Sequence, residues 1–163
     1  MKFLIITTLF LISVCFVKAQ DAQFIEGLKA FDSKDFKKAA ELLQPYAESG
    51  SCLAQYVNGY YYSQKELGAQ NDSLAEKYLK GASEKKQTHA MGLLAAFYFG
   101  KGLEYKIQAL VWAEIAAEFD IIQKGLTTRR LIRMYMSEEE ITEAEKMISE
   151  KKKYFHDISA CNE

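Results

Sequence analysis

Proline occurs once and glycine nine times in 163 residues, which excludes collagen-like, proline-rich and glycine-rich disordered chains. Two histidines and three cysteines leave little from which to build a zinc site, which needs three or four convergent donors. Neither sign of charge dominates. A formal net charge of −1 argues against a protein that coats nucleic acid or an anionic membrane. Strand signals are also missing: there is no sustained period-two alternation and there are few Val-Thr-Ile clusters. What is present is 49% hydrophobic, 26% charged and 13% aromatic residues, enough for one domain with a real core and not for two.

The first nineteen residues read as a secretory signal peptide rather than as part of that domain. Lys2 supplies the positive start, and Phe3–Val17 is an apolar stretch broken only by Thr7, Thr8 and Ser13. Val17-Lys18-Ala19 fits a cleavage site before Gln20. Fifteen residues at about 1.5 Å each span roughly 22 Å, short of the ~30 Å hydrocarbon core, so a retained anchor and stable membrane insertion are not expected. Val14 stands where lipoprotein processing requires Gly, Ala or Ser, so Cys15 is not expected to carry lipid. Cleavage removes Lys2 and Lys18 and leaves 19 basic against 22 acidic residues, with Cys52 and Cys161 as the two cysteines.

Beyond Gln20 apolar residues recur at spacings of three and four, as in Phe36, Ala39, Ala40, Leu43 and Ala47, or Ala109, Trp112, Ala113 and Ala116. Polar or glycine punctuation divides the chain into eight predicted helices, at 21–31, 35–48, 52–64, 72–84, 88–99, 105–119, 124–135 and 138–155. Ser137-Glu138-Glu139-Glu140 has capping-box spacing at the start of the last. The expected class is all-α, with a repeat domain over 20–155 and a polar tail at 156–163.

The helices repeat. Ala39, Leu42, Tyr46, Ala47 and Ala54 recur 36 residues later as Ala75, Tyr78, Ala82, Ser83 and Ala90, and Gly59 and Tyr62 recur as Ala95 and Tyr98. A further copy, offset by 34, is Ala109, Trp112, Ala116 and Ala117. Small residues are expected where two helix backbones approach within about 8–10 Å, and the aromatics fill the space between successive pairs. A helix pair alone cannot bury its apolar face, so stacked pairs must share one core.

These residues resemble the Sel-one-like repeat family, a relative of the tetratricopeptide repeats. The family's first helix carries Ala, Leu-Gly and Tyr, here Ala54, Asn58-Gly59 and Tyr62, then Ala90, Leu94-Ala95 and Tyr98. Asn58 stands where the family carries Leu. The loop Gly100-Lys101-Gly102-Leu103 is similar to the family's, and its second helix is matched by Ala75, Tyr78 and Ala82 and by Ala109, Trp112 and Ala116-Ala117. Residues Gly27 to Gly50 look like a tetratricopeptide-like opening unit, and Ser137 to Ala144 like the closing helix. The resemblance implies an α-solenoid of stacked antiparallel helix pairs, a superhelix used for protein–protein contact. Exported bacterial relatives include periplasmic immunity proteins that neutralise toxins, and envelope adaptors.

Catalytic constellations are sparse. His89 and His156 lie in different repeats, and His156, Asp157 and Cys161 read better as a polar tail than as a zinc site. Ser83-Glu84-Lys85-Lys86 has Ser-x-x-Lys spacing at a helix end without partner motifs, and Gly100-Lys101-Gly102 lacks the remainder of a phosphate loop. No catalytic residue, metal or cofactor is assigned. Cys52 is expected to pack as a small apolar residue near Ala47 and Ala54, because pairing with Cys161 requires the tail to fold back over several helices.

The candidate partner-binding residues are Tyr56, Tyr60 and Ser63 on the third helix, a stripe beside its packing face, with Met91 and Phe97 on the fifth. Exposed tyrosines are favoured interface anchors, although Tyr56 and Tyr60 could instead pack on the opening helix pair. Lys124, Arg129, Arg130 and Arg133 read as a solvated basic face, and Lys151-Lys152-Lys153 complements a helix C-terminus. Asn71-Asp72-Ser73 matches a glycosylation acceptor, relevant only in a eukaryotic secretory pathway. The expected function is an exported, periplasmic or secreted, non-enzymatic scaffold, adaptor or inhibitor that holds a protein partner on its concave face. The alternative is an envelope enzyme or enzyme accessory acting on peptidoglycan or another cell-wall ligand, with His89 or Glu104 essential to its activity.

Overall fold

A computed structural model describes residues 22–67, 69–119, 125–157 and 161, and of residues 125–128 and 157 the backbone alone. The expected signal segment, its cleavage site and Lys124 lie outside the described residues. Among those described there are eight α-helices and no strand: α1 (22–32), α2 (Phe36–Glu48), α3 (Cys52–Ser63), α4 (Asp72–Glu84), α5 (Thr88–Lys101), α6 (Lys106–Phe119), α7 (Gly125–Arg133) and α8 (Glu138–Asp157). Single turns of tighter helix, Lys65–Leu67 and Leu103–Tyr105, follow α3 and precede α6. The all-α expectation holds, and α8 runs on to Asp157, through the start of the predicted tail.

The helix starts are set locally. Asp35, Ser51, Asn71 and Gln87 each accept a hydrogen bond from the backbone N–H three residues on, which satisfies one of the donors a helix start leaves open. At α8 the capping box closes in both directions. Ser137 Oγ accepts from Glu140 N at 3.3 Å, and Glu140 Oε2 accepts from Ser137 N at 2.9 Å.

Consecutive helices pack on one another from α2 to α7, and α8 packs on α6. Contacts of α3 with α5 and of α5 with α7 bring odd-numbered helices side by side. The opening helix α1 is held on α2 by the Phe24–Tyr46 ring contact at 5.0 Å and by Gln23 Nε2 donating to Leu42 O at 2.8 Å. Two groups of buried apolar residues result. One, from Ala30 to Tyr78, joins α1 to α4; the other, from Leu79 to Phe155, joins α4 to α8, and they adjoin at Tyr78-Leu79.

Several residues related by the repeat offsets share one environment. Ala39, Ala75 and Ala109 are fully buried, as are Ala54 and Ala90, and Tyr78 and Trp112 fill corresponding buried positions. Gly59 shows why the small position exists. A Cβ there would stand 2.8 Å from the Leu79 side chain and 2.9 Å from the Leu79 backbone nitrogen, inside any tolerable contact. Gly27 meets Leu43 in the same way at 2.6 Å, and Leu43 lies 36 residues before Leu79.

One expectation is overturned. Cys52 is not a free apolar residue: it forms a disulfide with Cys161, with Cα atoms 6.3 Å apart. The fold-back comes from the length of α8. Its 20 residues span about 30 Å, longer than the 14-residue α6 on which it packs. Phe155 meets Trp112 at 6.3 Å and Phe119 at 6.0 Å, which places the end of α8 beside the end of α6. Alternating helix directions put the starts of α3 and α5 at that same end, within reach of Cys161.

Candidate interaction surface

An aromatic row runs from the start of α2 across α1, α3 and α5. Phe36 lies 4.9 Å from Tyr60, Tyr60 lies 5.6 Å from Phe31, Phe31 lies 5.7 Å from Tyr56, and Tyr56 lies 6.0 Å from His89 on α5. Tyr56 and Tyr60 are therefore half-buried, with one side packed on the opening helix pair and the other open. Burial raises the Tyr56 phenol above its ordinary range, and Tyr60 beside it adds to the effect. Ser63 closes the α3 stripe, its hydroxyl donating to Tyr60 O at 2.8 Å.

Helix α5 divides the other two expected residues. Phe97 is half-buried with an open side, but Met91 is fully buried beside Ala90, Leu94, Ala95 and Tyr98 and presents no surface. The reason lies in the α5 sequence, Thr-His-Ala-Met-Gly-Leu-Leu-Ala-Ala-Phe-Tyr-Phe-Gly-Lys, which is apolar on nearly every side. Such a helix is normally enclosed. Here one stripe stays uncovered: His89, Gly92, Ala96 and Gly100 are exposed, flanked by half-buried Leu93 and Phe97. A Cβ on Gly92 or Gly100 would meet nothing within 4 Å, so internal packing demands neither glycine. On the far flank Phe99 meets Tyr135 at 6.4 Å, and Leu131, Met134 and Tyr135 are exposed large hydrophobics. The sequence reading missed the glycine stripe. Its signal was the excess of apolar residues around α5, more than one buried face can use.

A cleft of about 490 Å³ opens at the C-terminal end of this stripe, with Ser63, Gln64, Leu93, Phe97, Lys101 and Tyr105 among its walls. Lys101 is fixed there. Its ammonium pairs with Glu76 at 3.2 Å and lies 4.6 Å from the Tyr105 ring centre and 5.3 Å from that of Phe97. Tyr98 donates to the other oxygen of Glu76 at 2.9 Å and stacks on Tyr105 at 6.0 Å. Burial, reinforced by the Glu76 hydrogen bond, holds the Tyr98 phenol far above its ordinary range. Glu76 thus organises one wall of the cleft from beneath.

Most of the remaining candidates are occupied by structure. Arg129 and Arg133 both reach Glu114, at 2.8 and 3.3 Å, and Arg133 also reaches Glu145 at 3.5 Å, so these two tie α7 to α6 and α8, while Arg130 stays exposed as expected of a solvated face. Lys151 lies 4.3 Å from the Trp112 ring centre, half-buried, and desolvation lowers its pKa. Lys152 pairs with Glu118. Ser83 is fully buried, out of reach of any substrate. Among the described residues no group of three His, Cys, Asp or Glu side chains could hold a metal, and no helix is long and apolar enough to cross a membrane. The sequence matches no family model, no curated protein and no solved structure.

Proposed function

We propose that the chain is an exported, non-enzymatic protein–protein interaction module, a short solenoid of Sel-one-like helix pairs whose odd-numbered helices present the binding face. The observation that carries this reading is the uncovered stripe of α5. An apolar helix face bordered by Leu93 and Phe97 on one flank and by Phe99 and Tyr135 on the other is costly to leave in water. Exposed glycines at Gly92 and Gly100 let a partner approach the helix backbone closely. The half-open tyrosines of α3 extend the same face, and aromatic residues of this kind are enriched at interface centres. Export is supported by the apolar N-terminal segment and by the Cys52–Cys161 disulfide, since such bonds persist in oxidising compartments.

Gly92→Glu/Gly100→Glu is the appropriate disruptive variant. Both positions are exposed and open, and glutamate is a better helix former than glycine, so the fold is kept while charge enters the face. Affinity capture from an envelope extract, scored by mass spectrometry, is expected to yield a protein retained by the wild type and reduced at least about tenfold by the variant, because an unpaired charge in a desolvated interface costs more than about 1.4 kcal/mol. Equal capture by both would discard this face. An adaptor and an inhibitor would use the same surface, and the identity of the captured protein separates them.

A further inference from the structure

We infer that the Cys52–Cys161 disulfide is a thiol–disulfide exchange site, at which an incoming dithiol attacks the sulfur of Cys161 in the folded protein and expels Cys52 as the thiolate. The two cysteines are unequal. Cys52 is buried, 2% exposed, whereas Cys161 is partly exposed and lines a pocket of about 240 Å³ with Leu53, Lys86, Gln87 and Thr88. A nucleophile that enters this pocket meets the Cys161 side first. Attack there makes Cys52 the leaving group.

The surroundings favour that direction. Cys52 is the first residue of the twelve-residue α3, so its sulfur departs at the positive end of a helix dipole. Gln87 and Thr88, the cap and first residue of α5, line the same pocket, which brings a second helix start to the pair. Lys86 adds a cationic side chain to the lining. Positive potential stabilises a departing thiolate, and a better leaving group is released faster.

The chemistry closes on a dithiol alone. Its first thiolate forms a bond to Cys161 as the Cys161–Cys52 bond breaks, and the electron pair leaves on Cys52. Its second thiolate then attacks the reductant's own sulfur in the mixed disulfide and expels Cys161 as thiolate. The protein has gained two electrons and, from the reductant's thiols, two protons; the reductant has become a disulfide. The fold persists through the cycle because α8 does not depend on the bond: Phe155 is fully buried against Trp112 and Phe119, and Lys152 pairs with Glu118. What is released is the attachment of Cys161 to the start of α3.

The test uses the full folded chain and dithiothreitol, with acid quenching, alkylation and mass analysis, in native buffer and in concentrated urea. The expected native rate is no more than about tenfold below that in urea, since access and not global unfolding limits the reaction. A larger slowing would show that the bond is structural and overturn the inference. Challenge with glutathione, a monothiol, is expected to leave the adduct on the Cys161 peptide; an adduct on Cys52 would reverse the assignment. Circular dichroism of the reduced chain is expected to keep its helical signal, and loss of that signal would overturn exchange in the folded state.

Discussion

At the crossing of α3 and α4 the small residue is Gly59, pressed against Leu79; at the crossing of α5 and α6 the corresponding residues are Ala95 and Ala113, both buried. One helix pair concentrates its bulk on a single side chain, and the other divides it between two. The centre of the first pair is Asn58, fully buried, with Nδ2 donating to Ala54 O at 3.1 Å and Oδ1 without a hydrogen-bond partner. The second pair has Leu94 there, also fully buried. Tyr62 is half-buried and stacks on Tyr78, whereas Tyr98 is buried, stacks on Tyr105 and holds Glu76. The repeat therefore fixes where backbones approach and leaves open how the space between them is filled.

The crossing can be broken most severely at Leu79. Leu79→Ala is expected to cost about 2–5 kcal/mol in urea unfolding, because the side chain is fully buried. Gly59→Ala alone should cost about 1–3 kcal/mol by overpacking. In the Leu79→Ala background the same change is expected to be neutral or stabilising, since the double variant recreates the alanine pair of α5–α6. Additive losses in this double-mutant cycle would refute the equivalence of the two crossings.

Exchanging the central residues gives the next largest effect. Leu94→Asn should cost about 2–4 kcal/mol, from lost packing and an amide without full partners. Asn58→Leu should instead gain about 1 kcal/mol by removing an unsatisfied buried oxygen. Equal losses from both changes would mean that the first pair has adapted its packing to asparagine.

Tyr98 offers the finest distinction. Tyr98→Phe is expected to cost about 1 kcal/mol through the Glu76 hydrogen bond, and Tyr62→Phe about 0.5 kcal/mol or less. Because the folded Tyr98 phenol lies above its unfolded value, its contribution is fully present below about pH 10 and declines as the pH rises beyond it. Unfolding midpoints measured across that range should fall less steeply in Tyr98→Phe than in the wild type. Parallel slopes would remove Tyr98 from the alkaline transition.

Helix positions and the capping box before α8 were legible in the sequence because each depends on local chemistry: three- and four-residue apolar spacing, short polar breaks, and a side-chain acceptor before the helix. Gly59 could be assigned to a close approach for the same reason. Met91 could not be placed correctly. Periodicity distinguishes inside from outside only when a helix has a polar face, and α5 has almost none. The roles of Arg129 and Arg133 were equally hidden, since Glu114 lies on another helix.

The sequence by itself determined that the described residues are helical, the order of their helices, and the positions at which helix backbones come together. Only the tertiary structure decided that Cys52 meets Cys161, that α5 turns Met91 inward and its glycine stripe outward, and that Glu76 fixes Lys101 and Tyr98 at a cleft. Those outcomes depend on groups far apart in the chain. Their distances follow from helix length, direction and crossing, which neighbouring residues do not encode.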